Sequence, residues 1–158
     1  MTTKADYTDE EWAALRRAPL VAGMAISLAD PGGVIELTHE TLAALKELSN
    51  PGSDLPLLVA VSQDALAMSQ QRHNPVGDFR PKGATAGQEI LDEIRRVNAI
   101  LEAKATPEEA AAFRAWLLRA AQAAADAAKE GGFMGFHAVR VSEGEKAMLD
   151  QLRHALGA

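Results

Sequence analysis

The run Ala18 to Ala29 (Ala-Pro-Leu-Val-Ala-Gly-Met-Ala-Ile-Ser-Leu-Ala) carries no charge, and Ser27 is its only polar side chain. A helix made of it is apolar nearly all round and belongs inside a bundle. Helical phase gives it two faces. Trp12, Leu15, Pro19, Ala22, Ile26 and Ala29 recur three and four residues apart, while Ala18, Ala22, Ala25 and Ala29 line a second face of small residues. Two buried faces require neighbours on two sides. About a dozen apolar residues fall short of the ~20 that span a bilayer, so the run reads as the core helix of a soluble bundle with no membrane span.

The other signals agree with an all-α chain. Aromatic residues make up only 4% of the 158 residues and alanine is abundant, a composition that favours helix over strand. This length suits one domain, residues 1–158, able to bury a core without disulfides or metal staples. The expected architecture is therefore a single-domain irregular bundle of about six helices. The net charge of −6 opposes binding to nucleic acid or anionic lipid. The absence of cysteine removes disulfides, thiolate nucleophiles and Cys-ligated metal centres, and it makes the cytoplasm the default compartment. Residues 1–7 hold one lysine and no apolar run, so they read as a flexible lead-in and not as a signal peptide.

Thr8-Asp9-Glu10-Glu11 is a capping box that starts a helix at Asp9, and Pro19 predicts a kink or break near Ala18. Asp30-Pro31-Gly32-Gly33 turns the chain. A helix over Val34 to Leu48, or a shorter one from His39, ends at Asn50-Pro51-Gly52-Ser53. Leu55 to Val61 fits either the start of a helix with Pro56 in its first turn or a short buried strand; the helix is preferred because no second strand of similar strength exists to pair with it. Residues 71–84 have no period and form the longest loop. Thr85 with Gln88 predicts a second capping box, followed by the apolar stripe Ile90, Ile94, Val97 and Leu101. Thr106-Pro107-Glu108-Glu109 starts a long helix ended by Gly131 and Gly132, and Ser142-Glu143-Gly144-Glu145 starts the last one.

Three groups of residues bear on function. Glu36-Leu37-Thr38-His39 matches the Glu-x-x-His element of carboxylate-bridged metal bundles, and only Glu89, Asp92 and Glu93 supply further carboxylates for it. Arg72, His73, Arg80 and Lys82 give the long loop a basic balance suited to an anion or an acidic partner. Phe133, Met134 and Phe136 sit among glycines, as a plug for the bundle end or as a contact for a partner. His137 and His154 find no partners in the sequence, and no phosphate-binding loop, nucleophile elbow or His-Glu-x-x-His is present.

The helix ending Ser27-Leu28-Ala29-Asp30, the glycine turn after it and a helix carrying Glu40 resemble the helix, Ala-Asp-Gly turn, helix unit of TerB-like tellurite-resistance domains. Here Pro31 and an extra glycine are inserted. Val141-Ser142-Glu143-Gly144-Glu145 is similar to a later helix start of that family. The resemblance implies an all-helical fold and a role in metal binding for the acidic residues Asp30 and Glu40.

The sequence reading is a non-enzymatic cytoplasmic interaction module without a cofactor, self-associating as a homodimer or binding another protein. The alternative is a metal-binding stress-response protein using a divalent metal at Asp30, Glu36, His39 and Glu40. Because Glu36 and His39 lack a second carboxylate at clear helical spacing, the purified protein is expected to hold no stoichiometric iron, manganese or zinc. Elemental mass spectrometry checks this, and one metal per chain that disappears in Glu36→Gln would reverse the order of the two readings.

Overall fold

The computed structural model describes residues 1–28, 45–71, 76, 79, 81, 83–130 and 143–157. These form an all-α bundle. Its helices are α1 (Asp9–Ser27), α2 (Pro56–Gln70), α3 (Ala86–Lys104), α4 (Pro107–Glu130) and α5 (Glu143–Ala155), with short 3-10 turns at Lys4–Asp6 and Gly83–Thr85. Residues 45–48 are also helical. Among the described residues there is no strand, and Leu55 to Val61, the segment with a strand alternative, opens α2 with Pro56 at its first helical position. No helix among them is long and apolar enough to cross a membrane.

The Thr8 capping box forms as the spacing requires. The Thr8 hydroxyl accepts from the Glu11 amide at 3.1 Å and the Glu11 carboxylate accepts from the Thr8 amide at 2.8 Å. Of the kink or break expected near Ala18, the break does not occur: α1 continues through Pro19 to Ser27. A proline inside a helix costs about 3 kcal/mol. Burial on both sides offsets that cost, since Ala18, Val21, Ala22, Ala25 and Ile26 are at most 2% exposed. The α1 helix touches each of the other four helices just named, most extensively α4 and then α3. All five contribute to one cluster of buried side chains, in which Phe113 and Trp116 meet edge to face at 5.4 Å between ring centroids.

One local expectation is corrected. Thr85 does not form a capping box with Gln88: Gly83–Thr85 is already a 3-10 turn, Thr85 has helical dihedrals and makes no cap hydrogen bond, and Gln88 donates to Asp92 instead. A residue with helical φ and ψ cannot aim its hydroxyl back at the first-turn amides. Residues 1–7, expected as a flexible lead-in, make specific contacts with the bundle. Lys4–Asp6 is a 3-10 turn, Tyr7 is 7% exposed, and Tyr7 and Trp12 stack at a tilt 5.9 Å apart.

Glu109 fastens that segment to the bundle. It completes a capping box with Thr106, accepting from the Thr106 amide at 2.9 Å while its own amide donates to the Thr106 hydroxyl at 3.2 Å. The same carboxylate accepts from the Thr2 amide at 2.8 Å and the Thr2 hydroxyl at 2.9 Å. Burial pushes its pKa up, but the hydrogen bonds from Thr106 and Thr2 outweigh it and hold the pKa below the ordinary 4.5. The folded protein therefore binds this proton less readily than the unfolded chain. The resulting stabilisation is complete above pH 4.5 and is lost as pH falls through the lowered folded value. Glu109→Gln is expected to lower stability at neutral pH and to flatten its decline in acid, as read from urea midpoints measured through this range.

Candidate functional site

Two depressions of the described surface lie along α2. Pro56–Gln70 contains one charged residue, Asp64, in an otherwise apolar and small-polar helix. On one side of the helix a depression of about 500 Å³ lies between α2 and the turn at residues 49–54, lined by Ser49, Asn50, Ser53, Asp54, Ser62 and Gln63 with Val59 and Leu66. On the other side, a depression of about 270 Å³ is lined by Lys4, Trp12, Ala60, Gln63, Asp64 and Ala67. Gln63 is common to both.

The rim of the larger depression is fixed from below by α4 and α2. The Trp116 indole donates to the Glu47 carbonyl at 2.9 Å, and the Ser62 hydroxyl donates to the Leu48 carbonyl. Arg119 donates through Nε to the Glu47 carboxylate at 3.2 Å and through a terminal nitrogen to the Asn50 carbonyl at 2.6 Å. Gly52 adopts φ +70° directly against this guanidinium, where a Cβ would collide with it. Glycine meets both conditions, since it alone has neither the left-handed penalty nor the extra atom.

Asp64 organises the smaller depression. Its Oδ2 accepts from the Trp12 indole at 2.7 Å and faces Lys4 at 3.4 Å and Arg16 at 3.5 Å, while none of these contacts falls on Oδ1. Partial burial raises its pKa, but the indole bond and the two cations prevail and hold it below the usual carboxylate value. The Lys4 ammonium also sits 5.7 Å from the centroid of the Trp12 ring. A carboxylate and an indole thus hold one ammonium between them.

Chemically, the two depressions offer hydroxyls, amides, a free-standing carboxylate at Asp54 and an ion-paired one at Asp64. Neither contains a histidine or cysteine among its described lining residues. Of the carboxylates named for a metal site, Glu89 and Asp92 are exposed on α3, whereas Glu93 is buried. Arg17 donates to Glu93 through Nε at 3.0 Å and through a terminal nitrogen at 2.7 Å. The Arg17 guanidinium lies 5.4 Å from the Phe79 ring centroid. Among the described residues, no group of three or more His, Cys, Asp or Glu is placed to hold a metal ion.

The metal candidates Asp30, Glu36, His39 and Glu40, the anion-loop candidates Arg72, His73, Arg80 and Lys82, and the contact-loop candidates Phe133, Met134 and Phe136 all lie outside the described residues, as does His137. His154 is exposed near the end of α5. The Lys4, Trp12 and Asp64 grouping went unread in the sequence. Its signal was the lone charge of α2 together with one of only two tryptophans in the chain.

Comparisons with protein-family models, with curated proteins and with solved structures find no match. Gly52→Ala is expected to cost about 1–2 kcal/mol from the left-handed backbone alone, more if Arg119 must move. Its urea midpoint, compared with that of Gly87→Ala, where nothing lies within 4 Å of the added carbon, checks the claim that the rim is held rigidly.

Proposed function

We propose that the protein is a non-enzymatic helical interaction module that works in the cytoplasm and binds a polar protein segment, or a second copy of itself, across the face of α2. The observation that carries this reading is the pair of depressions sharing Gln63, lined mainly by hydroxyl, amide and carboxylate groups. The rest of the described surface supports it indirectly. Met1 is the only exposed large hydrophobic side chain among the described residues, so a contact made by them is polar. Net charge −6 favours a basic partner segment over an acidic one or nucleic acid.

Sedimentation over a range of concentrations tests the self-associating form of this reading. Gln63→Arg places a bulky cation where both depressions meet, on an exposed site whose substitution leaves the core intact. The wild type is expected to associate, and Gln63→Arg to weaken that association about tenfold, ~1.4 kcal/mol, with an unchanged melting temperature. A wild type that stays monomeric throughout, or association untouched by Gln63→Arg, would count against the α2 face as a contact between copies.

A further inference from the structure

We propose that Trp12 and Asp64 form a recognition site for the side-chain ammonium of a partner's lysine, and that the chain's own Lys4 occupies this site in the structure. Three observations place it. The site has the two components that bind an alkylammonium group, an aromatic face and a carboxylate. It is already holding such a group, since Lys4 Nζ lies 5.7 Å from the Trp12 ring centroid and 3.4 Å from Asp64 Oδ2. The occupant is also loosely held, with 61% of the Lys4 side chain exposed against 30% for Asp64.

The carboxylate does not depend on Lys4 for its position. Trp12 Nε1 donates to it at 2.7 Å and Arg16 lies 3.5 Å away, so removing Lys4 leaves Asp64 in place. Its Oδ1 takes no part in these contacts, and the depression of about 270 Å³ has room for an incoming alkyl stem along Ala60 and Ala67. An exposed ion pair contributes little to stability, so a lysine delivered by a larger contact displaces Lys4 at small cost. The site would thus be self-capped until a partner arrives. This inference deepens the interaction-module reading, because it names the group that the α2 face recognises.

Lys4→Ala removes the resident ammonium from an exposed turn. Nα-acetyl-lysine methylamide is then titrated into Lys4→Ala and wild type while the two tryptophan indole NH signals are followed by 1H–15N NMR at constant ionic strength. The Trp12 signal of Lys4→Ala is expected to shift saturably while that of Trp116 stays still, with affinity about tenfold above the wild type. The Nε-acetylated probe, which has lost its charge, is expected to cause no shift. The double variant Lys4→Ala with Asp64→Asn should lose the response, its melting curve confirming that it is folded. No saturable Trp12 shift in Lys4→Ala, or an equal shift by the neutral probe, would overturn the site. A lysine response alongside sedimentation that ignores Gln63→Arg would keep the site and remove self-association across α2.

Discussion

The bundle depends on one constraint: the uncharged stretch of α1 can be satisfied only by surrounding it. Its side chains from Ala18 to Ile26 offer water almost nothing to hydrogen-bond, and each of the other four described helices supplies part of the cover. Alanines set the distance of approach. Ala14, Ala18, Ala22 and Ala25 on α1, and Ala121, Ala124 and Ala125 on α4, are all at most 1% exposed, so the two helices in most extensive contact meet through short side chains. Such a seam has little slack, because interiors are packed at crystal-like density. It also explains why Pro19 is tolerated in mid-helix, where the lost hydrogen bond is outweighed by packing on both flanks.

Around this apolar axis, a few polar side chains tie together segments distant in sequence. Glu109 joins residue 2 to the start of α4, Asp64 joins the first turn and α1 to α2, and Arg119 holds the turn at residues 47–52 against α4. Arg17 and Glu93, 14% and 8% exposed, join α1 to α3. An ion pair so deeply placed adds little net stability over an apolar pair of the same size, yet losing one partner costs about 3–5 kcal/mol. Its effect is to specify which face of α3 meets α1. The candidate site is built from the same kind of tie: the Asp64 cluster is a structural link that has one carboxylate oxygen and one exposed ammonium to spare.

The axis was legible in the sequence because twelve consecutive residues without charge admit few placements. Helix starts were legible where the motif was short-range, as at Thr8 and Thr106, and the buried stripe Ile90, Ile94, Val97 and Leu101 follows from period alone. Thr85 shows the limit of that method, since its motif depends on backbone dihedrals that the preceding 3-10 turn had already set. The contacts of residues 1–7 were not legible for a different reason. Their fixing comes from Glu109, 107 positions away from Thr2, and no local pattern carries that information. Glu93 likewise reads as a spare carboxylate on a helix until the fold brings Arg17 to it. The α2 site is of this long-range kind: Lys4 and Trp12 lie close together in sequence, and the packing of α2 on α1 brings Asp64 to them.

Native-state hydrogen exchange tests the central role of α1 most directly. If the other helices are built on it, the amides of residues 20–26 can exchange only when the whole bundle opens. Their opening free energy should then equal the global unfolding free energy from urea and match the slowest amides of α3 and α4. Exchange of residues 20–26 through a local opening well below that value, with α3 and α4 still protected, would contradict the account by showing a bundle that holds together without its axis.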